Sequence, residues 1–153
     1  MRFIIQRVLR SSVLVDGRTV GNIDRGLTVF VGISKSDTKD TADRMLKKLL
    51  HLRIFEDENG KTNLSLSQVQ GGILLISQFT LYADLRHGNR PSFTDAGSPD
   101  SAEPLYQYLV ESCKKSFPDT QQGIFGADME VRIINDGPFT IYLDSEMLSR
   151  PKA

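Results

Sequence analysis

Ile73-Leu74-Leu75-Ile76-Ser77-Gln78-Phe79-Thr80-Leu81 passes from unbroken aliphatic sequence into small hydroxyl-bearing residues, and it sits between two stretches of helical periodicity. Gly71-Gly72 breaks the chain just before it. The β-rich run therefore reads as a strand that ends in a turn, where main-chain and hydroxyl groups are easily presented. On its N-terminal side Ala42, Met45, Leu46, Leu49 and Arg53 recur at the spacing of one helical face, which predicts a helix over residues 38–52 with Ser36 or Asp37 as its cap. On its C-terminal side Ala102, Leu105, Leu109, Cys113 and Phe117 form a second stripe, with Ser101 as the cap and Pro104 in the first turn.

Outside these helices the sequence is strand-like. Residues 3–9, 12–15 and 19–23 read as strands, the last two flanking the turn Asp16-Gly17-Arg18, and residues 27–33 are continuous enough in apolar character to be covered on both faces. Asn59-Gly60 marks a turn within 56–61. Residues 129–134 and 139–143 read as strands joined by 135–138. Residues 82–98 have no period and are rich in Gly, Asn, Pro, Asp and Ser, the composition of a functional loop. Too few strand-helix-strand units occur for a doubly wound sheet, so a mixed α+β fold is expected, with largely antiparallel sheets and two main helices covering one side.

At 153 residues the chain is the size of one domain. Nineteen Lys and Arg balance nineteen Asp and Glu, so no global field draws it to nucleic acid, and any RNA contact must be local. The single cysteine, Cys113, forms no internal disulfide, and no Cys/His spacing suits a structural zinc site. Polar Gln6, Arg7 and Arg10 interrupt the N-terminal apolar residues before a signal or membrane segment could form, and a cytoplasmic location is expected. With two histidines, His51 and His87, and no Gly-x-Ser-x-Gly elbow, there is no persuasive pairing of nucleophile and base.

Two motifs remain: Ser77-Gln78-Phe79-Thr80-Leu81, and Asn135-Asp136-Gly137-Pro138-Phe139-Thr140. Taken alone, the first reads as strand-end hydroxyls satisfying edge hydrogen bonds, and the second as an ordinary Gly-Pro turn. Together they resemble the SQFTL and NxGPxT motifs of the D-aminoacyl-tRNA deacylase family, the D-Tyr-tRNA(Tyr) deacylase type. Gln6-Arg7-Val8, Arg53-Ile54-Phe55, Arg90-Pro91-Ser92-Phe93 and Phe125-Gly126-Ala127-Asp128-Met129 extend the resemblance over residues 1–143 as one domain, leaving 144–153 as a tail outside it.

The resemblance implies a three-layer β/β/α arrangement and a cytoplasmic homodimer acting on the aminoacylated 3′ CCA end of tRNA, with no cofactor or metal and with neither DNA nor membrane as partner. The implied activity is hydrolysis of the ester of D-aminoacyl-tRNA, and of glycyl-tRNA as well, as chiral proofreading in translation. Ser77, Gln78, Phe79 and Thr80 are the implied catalytic residues. Either Thr80 is the nucleophile, or amides around Phe79 and Thr80 form an oxyanion site assisted by the RNA hydroxyl; the absence of an evident base favours the amides. In the family the Gly-Pro bond is cis and is lent to the other subunit's site, so Gly137, Pro138, Arg7 and Thr140 are implied in substrate binding and chiral selection. Phe125 and Met129 match positions that pack on the terminal adenosine. Phe139 departs from the valine common after Gly-Pro. The rival reading is a noncatalytic RNA-binding relative.

Overall fold

The computed structural model describes residues 1–150. Its strands are β1 (Arg2–Val15), β2 (Arg18–Ile23), β3 (Gly26–Gly32), β4 (Arg53–Glu56), β5 (Thr62–Ser65), β6 (Gly72–Ser77), β7 (Gln121–Gln122) and β8 (Glu130–Asp144). Its helices are α1 (Lys39–Leu50), α2 (Pro99–Ser116) and α3 (Ser145–Ser149), and a 3-10 turn spans Phe79–Tyr82. The main sheet runs β2-β1-β3-β6-β7, with β8 also on β1; β3–β6 and β6–β7 are parallel and the other pairs in it antiparallel. β4 and β5 form a separate hairpin around the Asn59-Gly60 turn.

Two cores on opposite faces of the sheet make three layers. Ile73 and Leu75 of β6 join Phe3, Ile5, Leu27, Val29 and Val31 beneath α1 and α2. Their alternates Leu74 and Ile76 instead join Val8, Val13 and Ile23, with Phe30, Met129, Val131 and Ile133 packed against them. A strand with cores on both faces must be apolar throughout, which is why 73–76 shows no alternation. The expected β/β/α arrangement is the one found.

Several local expectations are corrected. Residues 3–9 and 12–15 form one strand, because β1 continues through a register irregularity around Val8 and serves both β layers. The two strands expected at 129–134 and 139–143 likewise merge into one, β8, which starts at Glu130, since both halves pair with β1. Thr38, not Ser36 or Asp37, caps α1: its side chain accepts from the Thr41 amide in a capping box. Asp37 is taken up by the Met1 ammonium at 2.6 Å and the Ser34 amide at 2.7 Å. α2 starts earlier than expected, with Ser98 as its N-cap and Pro99 at its start, which leaves Pro104 inside the helix rather than in its first turn. The β4–β5 hairpin and β7 are too short to leave a period in the sequence.

Candidate active site

β6 ends at Ser77, and the Gln78 amide still donates to the Val31 carbonyl at 2.8 Å, which carries the sheet's order into the turn. The chain then closes into the Phe79–Tyr82 turn, with Leu81 N donating to Gln78 O at 3.3 Å and Ala83 N to Thr80 O at 3.0 Å. First-turn amides have no partner within a helix. Among the described residues neither the Phe79 nor the Thr80 amide donates to any group, and both residues are exposed. The Gln78 side-chain amide donates to Thr80 Oγ1 at 2.6 Å, so the hydroxyl is held by an amide rather than by a base.

Ser77, Gln78 and Phe79 form one wall of a cavity of about 660 Å³. Phe125, Met129 and Phe93 line it as well. Phe93 meets Phe79 edge to face, with centroids 4.9 Å apart. Phe125 leans on Tyr106 at 5.9 Å, and the Tyr106 hydroxyl donates to the Leu75 carbonyl at 2.8 Å, so the inner wall is tied to the sheet. Burial raises the Tyr106 phenol pKa, which keeps that hydroxyl a donor. The wall residues Ser77, Gln78, Phe79, Phe125 and Met129 are thus brought together, and Thr80 follows directly on that wall.

Gly137, Pro138, Arg7 and Thr140 are gathered elsewhere. β8 pairs Thr140 with Gln6 and Asn135 with Val8, so residues 136–139 bulge out opposite the single residue Arg7. The Gly137–Pro138 peptide bond is cis, Gly137 has φ +156°, and both residues are exposed. A Cβ on Gly137 would come within 2.3 Å of the Phe139 amide nitrogen, so the bulge closes only around glycine. Arg7 is 5% exposed and lies under the bulge. Its Nε donates to the Asp136 carbonyl at 3.0 Å and pairs with Asp136 Oδ2 at 3.3 Å, while its NH1 donates to the Ile54 carbonyl at 2.6 Å. The Phe139 ring, where the family commonly has valine, lies 4.5 Å from the Arg7 guanidinium carbon and fills the space beneath the motif. Thr140 accepts from Gln6 Nε2 at 3.4 Å.

The two groups stand toward opposite ends of β3. Arg7 is opposite Leu27, and the Gln78 contact falls on Val31, four residues or about 13 Å further along β3. None of residues 136–140 lines the cavity. The histidines lie outside it too: His51 Nδ1 is 2.7 Å from the Lys47 carbonyl at the end of α1, and His87 is exposed in the long loop. That loop is held by reciprocal Asp84–Ser92 backbone bonds of 2.7 and 3.0 Å, and by Arg86, whose hydrogen bonds to Asp84 lower the carboxyl to about 2.

Of the matching segment Arg90-Pro91-Ser92-Phe93 in this loop, to which the sequence assigns no role, Phe93 reaches the cavity. Gly32 was passed over. A Cβ there would stand 2.8 Å from Leu81 Cβ and 3.3 Å from the Gln78 carbonyl oxygen, so only glycine lets the Phe79–Tyr82 turn lie against β3. Its one sequence signal is a glycine that ends a run of β-branched and aromatic residues.

Fold and cavity define a β/β/α protein with an aromatic-walled pocket at one end of its central strands. The chain belongs to the D-Tyr-tRNA(Tyr) deacylase family, whose model matches residues 4–144. It is 54% identical over 146 residues to a D-aminoacyl-tRNA deacylase of Clostridium novyi (strain NT), covering 95% of this chain and 98% of that protein. A solved structure titled c-Myc DNA Unwinding Element Binding Protein is similar with a TM-score of 0.89 and 42% identity, over 94% of this chain and 98% of that one. The fold recurs at 18% identity, with a TM-score of 0.83 over 93% of this chain and 97% of the other, in a structure described as a probable eukaryotic D-amino acid tRNA deacylase. No helix among the described residues is long and apolar enough to cross a membrane.

Proposed function

We propose that this protein hydrolyses the ester linking a D-amino acid to tRNA, and glycyl-tRNA to a lesser degree, as a homodimer in the cytoplasm, where aminoacyl-tRNA is found. The observation that carries the reading is the pair of undonated amides at Phe79 and Thr80 beside a cavity walled by Phe125 and Met129. The aromatic face and soft thioether suit a terminal adenosine, which would bring the activated ester to the turn. The amides then stabilise the oxyanion that forms as water attacks, where one well-placed donor is worth about 2.7–4 kcal/mol of barrier. Thr80 Oγ1 is bonded to an amide and has no base beside it, which favours main-chain stabilisation over attack by the hydroxyl. The neighbouring ribose hydroxyl orients the water and relays its proton to the departing ribose oxygen.

Chirality is read by exclusion. The Gly137–Pro138 bulge is exposed, is braced from below by Arg7, and cannot reach its own chain's cavity, so it serves the site of a second copy. Its carbonyl oxygens occupy the side of the α-carbon where an L side chain would project. A D residue or glycine carries only hydrogen there and is accepted, whatever the D side chain.

Matched D- and L-tyrosyl-tRNA test the reading. Rapid release of the D amino acid with the L ester spared is expected, and glycyl-tRNA should be hydrolysed at high enzyme concentration. Equal rates for the two tyrosyl esters would remove the steric account. No release from either would favour a noncatalytic RNA-binding relative.

A further inference from the structure

The Phe79–Tyr82 turn has no anchor of its own in either core. None of its four residues is buried, and its internal hydrogen bonds are the short-pitched kind, with poorer geometry than those of an α-helix. A group meant to meet a developing charge must nonetheless stand still. Something outside the turn has to fix it.

Arg2 is placed to do so. It lies on β1 directly across from Gly32, the residue against which the turn packs. Its NH1 donates to the Leu81 carbonyl at 2.9 Å, its Nε donates to Asp144 Oδ2 at 3.0 Å, and its guanidinium carbon lies 4.3 Å from the Tyr82 ring centroid. Leu81 and Tyr82 are the last two residues of the turn, so Arg2 grips it from the end opposite the free amides. Asp144 is held in its own right: the Tyr142 hydroxyl donates to Oδ2 at 2.6 Å and the Glu146 amide to Oδ1 at 2.9 Å. Burial works against the Asp144 carboxylate, yet the bonds from Tyr142, the Glu146 amide and Arg2 outweigh it and keep its pKa below the ordinary value. The charge that aims Arg2 is therefore present at neutral pH.

We infer that Arg2, aimed by Asp144, is a positioning residue for the deacylation, fixing the Phe79 and Thr80 amides at the cavity rim through the Leu81 carbonyl. The inference rests on the reading of those amides as oxyanion donors. Arginine suits the task because its planar fork reaches a carbonyl and a carboxylate at once, which a lysine ammonium at this position cannot do with the same geometry.

The test is single-turnover hydrolysis of D-tyrosyl-tRNA with enzyme in excess, yielding a maximal rate and a half-saturating concentration for the wild type, Arg2→Lys, Arg2→Ala and Asp144→Asn, with thermal unfolding measured alongside. A misplaced reacting group costs up to about a hundredfold, so the maximal rate should fall roughly 10- to 100-fold in Arg2→Ala and about tenfold in Arg2→Lys. Half-saturation should stay within about twofold, because the loss is confined to the transition state. Ethylguanidinium should restore part of the Arg2→Ala rate, a rescue that a loss of stability alone would not show. Unchanged maximal rates, or losses carried wholly by half-saturation, overturn the inference; if Arg2→Ala does not fold at the assay temperature, the same outcomes in Arg2→Lys and Asp144→Asn decide it. A wild type that spares D-tyrosyl-tRNA sinks the reading of the site itself, whereas an active wild type matched by its Arg2 variants sinks only the role of Arg2.

Discussion

Two tight pieces of backbone in this molecule are each held by an arginine from β1, and they face different ways. The Phe79–Tyr82 turn stands beside its own chain's cavity, and its holder, Arg2, has a side chain 31% exposed. The 136–139 bulge faces solvent away from that cavity, and its holder, Arg7, is buried against Ile54, Asp136 and Phe139. In both places the arginine donates to a main-chain carbonyl of the motif. The stronger grip lies under the segment whose Gly137 and Pro138 are exposed and do not line their own chain's cavity. Such an arrangement is reasonable if the bulge must act as a rigid wall for another molecule, while the turn is already supported by β3 and the cavity wall.

Removing the stronger grip should have the larger effect. Arg7→Ala deletes charged hydrogen bonds to two carbonyls and strands a buried acceptor at Ile54, so a loss of about 3 kcal/mol is expected in denaturant unfolding. In whatever fraction remains folded, rejection of L-tyrosyl-tRNA should weaken more than hydrolysis of the D ester. If selectivity were kept at full strength, the bulge would not need its brace. Gly32→Ala attacks the other region. A methyl group 2.8 Å from Leu81 Cβ must push the turn off β3, and a shift near 1 Å should cost about a hundredfold in maximal rate while leaving the D-to-L ratio nearly unchanged. The two variants should therefore separate selectivity from rate. Parallel losses of both quantities in both proteins would erase the distinction between the regions.

The same contrast explains what could be read from the sequence. The helices announced themselves because α1 buries Ala42, Met45, Leu46 and Leu49 on one face, a period that needs no knowledge of the partner. The unalternating run at 73–76 was legible for the opposite reason, since both its faces are buried. What escaped was any feature whose cause lies far along the chain. That 3–9 and 12–15 are one strand depends on β8 more than a hundred residues away, and that 136–139 is a bulge rather than a hairpin turn depends on Arg7. The motif residues were found through a resemblance. Of the residues that steady them, Arg2, Gly32 and Asp144 lie outside every segment that carries it, and Ile54 lies inside one that gives its carbonyl no role, because these roles are defined only by long-range contacts.

Smaller effects sharpen the account of the turn. Thr80→Ala removes a hydroxyl that accepts from Gln78 but leaves the backbone amide in place. Deacylation should stay within about threefold of the wild type, since a side chain outside the reacting atoms gives up little transition-state binding. A loss of several orders of magnitude in a folded Thr80→Ala protein would return the hydroxyl to the role of nucleophile.

The mildest test uses acid instead of mutation. The pKa of Asp144 is lower in the folded chain than in the unfolded one, so the unfolded chain binds a proton more readily as pH falls, and stability must fall with it. The contribution is whole above the ordinary carboxylate value near 4 and disappears as pH drops through the depressed folded value. Protonation removes the charge that aims Arg2 and a bond acceptor for Tyr142, whose phenol is pushed up to about 12 by burial and by that same carboxylate. Asp144→Asn should therefore flatten the acid limb of the stability curve below about pH 4 while leaving its shape between pH 6 and 8 unaltered. Identical acid limbs in the two proteins would mean that Asp144 is not the group whose protonation loosens the Arg2 end of the molecule.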